Sequence, residues 1–128
     1  MVGRDGQIIR LLVANERAEV AASIGRYLND FPQVNVVGMT HTLADTLGSA
    51  RELRPSAVLC DYQRMKPETL ERIRRLREEL PEACIIAMSY DVQQIDEVIQ
   101  AGANQFIPKF ELSGYLLQVL EQCTAPLS

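Results

Sequence analysis

Pro55-Ser56-Ala57-Val58-Leu59-Cys60-Asp61 is an apolar run that ends on a single acid. Ala57 to Cys60 can all be buried, which suits a central parallel strand covered by helices on both faces. Asp61 is different. A carboxylate is expensive to hide inside a sheet, but at the carboxyl edge, where open α/β sheets place their ligands, it is available for chemistry.

Outward from that strand, apolar strand-like runs alternate with amphipathic helical ones. Residues 1–7 read as a polar, Gly-rich lead-in. Ile8 to Ala14 predicts the first strand. A helix follows from Ala18 to Phe31, with Val20, Ile24, Tyr27, Leu28 and Phe31 as its apolar stripe and Pro32 as its stop. Val34 to Met39 predicts a second strand, and Thr42 with Asp45 a capped start for a helix carrying Leu43, Leu47, Ala50 and Leu53. Beyond Asp61, Pro67 opens a third helix with Leu70, Ile73, Leu76 and Leu80 inward, while Arg72, Arg74, Arg75 and Arg77 read mostly as its wet face. Cys84 to Met88 predicts a fourth strand ending at Ser89. Asp91 and Gln94 cap a helix bearing Ile95, Val98 and Ile99, which Gly102 ends. Gln105 to Pro108 predicts the last strand, leading to Lys109. Ser113 then caps the last helix, with Leu112 and Leu117 as a hydrophobic staple and Leu116, Leu120 and Cys123 buried.

Five strands alternating with five helices predict an α/β, doubly wound, five-stranded parallel sheet in the flavodoxin-like order 2-1-3-4-5. At 128 residues the chain reads as one domain over 1–128, with its core at about 8–123. Net charge is −4, which speaks against nucleic-acid backbone binding by this chain. No apolar run reaches the ~18 residues of a membrane span, and no signal-peptide pattern opens the sequence. A cytoplasmic protein is expected. The odd count of three cysteines, Cys60, Cys84 and Cys123, with no CxxC, predicts buried reduced thiols rather than a disulfide or metal site.

In this topology the ends of strands 1, 3, 4 and 5 converge, bringing together Asn15-Glu16, Asp61, Ser89 and Lys109. Carboxylates, a hydroxyl and an ammonium at one edge suit a hard cation with a phosphoryl group. Glu16, Asp61 and the backbone carbonyl of Gln63 are candidate Mg²⁺ ligands. Asp61 is the candidate nucleophile, Lys109 the cation for a phosphoryl oxygen, and Ser89 a hydrogen-bonding hydroxyl. His41, the lone histidine, reads as a loop residue.

These residues carry a resemblance to response-regulator receiver domains over nearly the whole chain. IRLLVANERAEVAASIGRYL is similar to that family's first strand and helix, with Asn15 and Glu16 on its acidic pair. PSAVLCDY resembles the phosphoacceptor strand, LERIRRLREELPEACIIAMSYD continues in register, and AGANQFIPK resembles the family's ending. The resemblance implies that Asp61 accepts a phosphoryl group from a sensor histidine kinase or phosphotransfer protein in a Mg²⁺-dependent step. It also implies switch roles for Ser89 and Phe106, and a partner-binding or homodimer face on helix 4, strand 5 and helix 5. Such a protein is a switch and not a turnover enzyme.

The departures are specific. Asn15 replaces one of two acids, so it would touch the metal only weakly, through water. Met65 stands where the family often has Pro, and Thr69 where it often has Gly. Counting back from Gly102 would put Ala87 at the hydroxyl position. Ser89 is preferred because it ends the apolar run. A degenerate receiver, acting as an interaction or dimerisation module without phosphorylation, is the alternative. A flavin- or nucleotide-binding enzyme is disfavoured, because ANERAE after strand 1 is no Gly-rich loop.

Overall fold

Ala57–Asp61 forms the middle strand, β3, and all five of its residues are buried. The computed structural model describes residues 8–124. In chain order they form β1 (Ile9–Ala14), α1 (Ala18–Leu28), β2 (Val34–Thr40), α2 (Leu43–Leu53), β3, α3 (Pro67–Glu79), β4 (Cys84–Ser89), α4 (Ile95–Ala101), β5 (Gln105–Pro108) and α5 (Leu112–Cys123). The strands pair in parallel in the order β2-β1-β3-β4-β5, as the alternating pattern predicts.

Alternate residues of the strands feed two cores, one on each face. Leu11, Val13, Leu59, Ile86 and Met88 join α1 and α5 through Ile24, Leu28, Leu116 and Leu120. Leu12, Val58, Ile85 and Ala87 join α2, α3 and α4 through Leu47, Ile73, Leu76 and Val98. Burial of both faces of the inner strands explains why they read as continuous apolar runs rather than as alternation. None of the described helices is long and apolar enough to cross a membrane.

Local chemistry sets the ends. Thr42 caps α2 by accepting from Asp45 N–H at 3.1 Å. Pro67 occupies the first turn of α3, where its missing N–H costs nothing. Gly102 closes α4 at φ 128°, and a Cβ there would stand 2.7 Å from the Arg77 Cβ.

Five expectations need correction. Helix α1 stops at Leu28, three residues before Phe31. Phe31 N–H bonds back to the Leu28 carbonyl at 3.0 Å, and its ring meets Tyr27 edge-on, so a turn and not a helical repeat buries it. Two of the four arginines on α3 are not on a wet face: Arg72 is 2% exposed, and Arg77 is spread over backbone carbonyls. On α4 only Val98 is buried, while Ile95 and Ile99 are 41% and 43% exposed. Helix α5 starts at Leu112 after Glu111, which puts Ser113 inside its first turn rather than at the cap. The side chains of Leu112 and Ser113, and hence the staple, lie outside the described residues, as do residues 1–7. Finally, Cys84 and Cys123 are disulfide-bonded, with Cα atoms 5.7 Å apart, so that the start of β4 is tied to the end of α5. Cys60 alone is free and buried, and burial pushes its thiol pKa up to about 12.

Candidate functional site

The carboxyl ends of β1, β3, β4 and β5 open into a cleft of about 470 Å³ that includes Asn15, Glu16, Asp61, Gln63, Ser89 and Lys109 in its lining. Each expected site residue except Phe106 stands here. The cleft exists because the chain leaves the sheet on opposite faces after β1 and β3.

Asp61 is the last residue of β3 and only 1% exposed. Its Oδ1 pairs with the Lys109 ammonium, and its Oδ2 accepts from Gln63 Nε2 at 2.7 Å. Lys109 reaches it from the end of β5 and lies 5.0 Å from the centre of the Tyr90 ring. Ser89 ends β4 opposite Pro108, one residue past Met88, the register partner of Asp61. Ala87 pairs instead with Cys60, inside the core. Ser89 Oγ currently accepts from the Asp91 N–H at 3.2 Å. Phe106 lies in β5 beside Ala87, partly buried against the core under α2, α3 and α4.

Asn15 is buried at the end of β1. Its Oδ1 accepts from Arg17 N–H at 2.9 Å, a side-chain turn that starts α1, and its carbonyl is 2.9 Å from His41 Nδ1. His41 therefore braces the loop after β2. Glu16 pairs through Oε1 with the ammonium of Lys66, and Gln63 Nε2 stands 3.4 Å from the same oxygen. The Lys66 hydrogen bond is the main cause holding the Glu16 carboxyl below its ordinary value, and Glu16 in turn raises Lys66.

Lys66 owes its position to the loop after β3. The Thr69 hydroxyl accepts from Gln63 N–H at 3.1 Å and lies within hydrogen-bonding distance of the Gln63 and Lys66 carbonyls. Lys66 N–H donates to the Gln63 carbonyl at 2.9 Å. The residue before a proline is kept out of the α region, and Lys66 accordingly sits at φ −123°, ψ 93°. Together these contacts turn the loop so that Lys66 crosses to Glu16.

The resemblance implies Mg²⁺ at this edge. The donor set is of the right kind for a divalent ion, but as arranged its atoms are engaged within the protein. Asn15 Oδ1, Glu16 Oε1, the Gln63 carbonyl and Asp61 Oδ2 each accept a hydrogen bond within the protein, while the buried Asp61 Oδ1 accepts none and meets only the charge of Lys109. The cleft balances Glu16, Asp61 and Asp91 against Arg17, Lys66 and Lys109. The buried Arg72 adds positive potential that acts on Glu16. Mg²⁺ is ordinarily held by one or two carboxylates with several waters, and here both carboxylates of the edge are already engaged by ammonium groups. Among the described residues no group of three or more His, Cys, Asp or Glu gathers for a metal.

Sequence reasoning missed three contributors. Lys66 carried no signal, because its role depends on the fold of one loop. Arg72 had one, since it shares the buried helix face of Thr69 and Leu76. Tyr62, next to Asp61, donates its buried hydroxyl to the Glu97 carboxylate, with Gln94 Oε1 at 3.3 Å, and so joins β3 to α4.

No family model matches the chain. Among curated proteins it is 31% identical over 104 residues to the response regulator GacA of Pseudomonas viridiflava, covering 80% of this chain and 49% of that protein. It is 26% identical over 106 residues to a protein-glutamate methylesterase/protein-glutamine glutaminase of Syntrophus aciditrophicus, covering 80% of this chain and 30% of that one. The chain thus spans half the length of these relatives or less. Among solved structures, a LuxR-family two-component response regulator from Aurantimonas superposes with a TM-score of 0.84 at 21% identity, over 93% of this chain and 86% of that one. The response regulator domain of Thermotoga maritima CheB superposes with a TM-score of 0.82 at 20% identity, over 95% and 100%. At such identities the structures speak for the fold alone. Sequence relatives named response regulators and a fold shared with receiver domains agree, and together they support a response-regulator receiver domain.

Proposed function

We propose that this chain is a phosphorelay receiver whose Asp61 takes a phosphoryl group from a sensor histidine kinase or a phosphotransfer protein. The observation that carries this is Asp61 itself, a buried carboxylate at the sheet edge with Lys109 on one oxygen and Gln63 on the other. In the step, an Asp61 oxygen forms the new O–P bond while the P–N bond of a phosphohistidine breaks and the imidazole nitrogen keeps the electron pair. Lys109, Lys66 and Arg72 offset the negative charge of the incoming group, and Lys109 follows a phosphoryl oxygen as it leaves the carboxylate. Ser89 then exchanges the Asp91 amide for another phosphoryl oxygen, and Phe106 rotates into the space this opens.

The change reads out on α4, β5 and α5, where Ile95, Ile99 and Tyr115 are exposed together with Phe110 in the turn between β5 and α5. Such an apolar face suits a second copy of this chain or an output domain. Phosphorylation shifts a two-state population and repeats no turnover. The proposal gives this chain no nucleic-acid contact and no membrane contact, and its setting is the cytoplasm, where reducing conditions would open the Cys84–Cys123 bond.

The test is beryllofluoride, a phosphoryl mimic, with fluorine NMR on the wild type and on Asp61→Asn. The expected result is a bound-fluoride signal that Asp61→Asn abolishes. Its absence from the folded wild type would favour a second reading, a phosphorylation-independent interaction module. The observation behind that reading is that the carboxylates of Asp61 and Glu16 are already paired with ammonium groups.

A further inference from the structure

We infer that the Lys66 ammonium is the resident cation of this edge, standing against Glu16 where a receiver would hold a divalent metal, so that metal enters only by displacing it. The inference rests on reading Glu16 and Asp61 as the receiver's acidic edge, and it concerns how that edge is regulated.

Three independent features support it. The first is geometry. Gln63 Nε2 stands 2.7 Å from Asp61 Oδ2 and 3.4 Å from Glu16 Oε1, linking the two acids, and Lys66 caps the far one. The second is the backbone. Thr69 and Pro67 hold the loop so that the Gln63 carbonyl, a candidate metal ligand, is turned inward onto Lys66 N–H. The third is charge. With Asn15 in place of an acid, Lys66 and Lys109 between them neutralise Glu16 and Asp61.

An ammonium differs from a metal in being tethered and singly charged. It is always at hand, and the Lys66 side chain, 41% exposed, has room to swing out. A divalent ion arriving beside Glu16 meets a like charge a few ångströms away, which weakens its binding roughly tenfold even at a dielectric close to that of bulk water. The site is therefore closed and charge-balanced without metal, and its affinity for metal is set by how readily Lys66 leaves.

The experiment is Mn²⁺ titration followed by the electron-paramagnetic signal of the free ion, on the wild type, Lys66→Met and Lys66→Gln. Fold is checked by circular dichroism. Both variants are expected to bind Mn²⁺ roughly tenfold more tightly than the wild type, which is about the effect of removing one nearby charge. Adding Glu16→Gln is expected to cancel the gain. Equal affinity in the wild type and both folded variants would overturn the inference. Beryllofluoride on the same proteins separates it from the phosphoacceptor reading. Tighter Mn²⁺ with no adduct on any of them sinks that reading and keeps this one. An Asp61 adduct with unchanged Mn²⁺ affinity does the reverse.

Discussion

At the amino end of the sheet, one arginine is wired into backbone. Arg77 donates to the carbonyls of Gly102, Leu80, Pro81 and Ala83 at 2.9–3.0 Å and to the side chain of Asn104, whose Oδ1 also accepts from Ile85 N–H at 2.8 Å. Arg10 does the same to Leu53 and Arg54, and the Cys84–Cys123 bond closes the far side. At the carboxyl end the contacts run from side chain to side chain: Lys109 to Asp61, Lys66 to Glu16, Gln63 to both acids. The carbonyls that Arg77 holds lie where α3 and α4 end and lead into β4 and β5, so their positions are set by the main chain, whereas a lysine can change partner by rotating its own bonds. The difference separates frame from switch. Local stability differs in the same sense, because exchangeable contacts belong to regions that open at low cost.

The comparison breaks most visibly at the disulfide. Reduction, or Cys123→Ser, is expected to lower unfolding free energy by about 3–4 kcal/mol, the loop-entropy value for a bridge of this span. Urea unfolding of both forms measures it, and coincident curves would show that the amino end does not depend on the bridge. At the other end, Lys109→Ala leaves the Asp61 carboxylate buried without its cation, at a cost of about 3 kcal/mol. Adding Asp61→Asn should recover most of that loss in the same assay. If the double variant is as unstable as the single one, Lys109 acts through packing and not charge.

Gly102→Ala tests the frame more finely. With φ at 128° and a Cβ 2.7 Å from that of Arg77, the change is expected to cost about 2 kcal/mol and to pull the Arg77 network apart. A thermal midpoint equal to the wild type would refute this. Tyr62 lies between the two regimes. Burial first, then the Glu97 hydrogen bond, pushes its phenol pKa from 10.0 up to about 12. The neutral phenol therefore contributes stability that is fully present below pH 10 and is lost as pH rises toward 12. Tyr62→Phe should cost about 1 kcal/mol at neutral pH. It should also remove the latest-titrating step from the tyrosinate absorbance; survival of that step would assign it to another tyrosine.

The smallest expected effect belongs to the Lys66–Glu16 pair. Glu16 is depressed below 4.5, so its contribution is present above pH 4.5 and is lost as pH falls through the lower folded value. Lys66 is raised above 10.5, so its share is present below pH 10.5 and fades above it. Carbon-13 NMR of the Glu16 carboxyl should show its midpoint rise in Lys66→Met. An unmoved midpoint would mean the pair does not persist in solution.

Much of the site was legible because the fold brings strand ends together regardless of detail. Once Ala57 to Asp61 is a central parallel strand, Glu16, Ser89 and Lys109 must share its edge, and Ser89 rather than Ala87 follows from where the apolar run stops. What was not legible depends on contacts between residues far apart in the chain. Cys84 and Cys123 are 39 positions apart, and an odd cysteine count says nothing of which two meet. Lys66 and Glu16 are 50 apart, and they meet because Thr69, where the family often has Gly, latches the loop. Arg72 reads as wet on charge alone, though its spacing from Thr69 and Leu76 puts it on the buried face.

Sequence by itself determined the element order, the parallel sheet and the identity of its acidic edge, because burial periodicity and strand ends are local properties of the chain. Only the tertiary structure decided which cation faces which carboxylate, which cysteines bond and which helix residues stay exposed, because those depend on side-chain direction and on surfaces that exist only after packing.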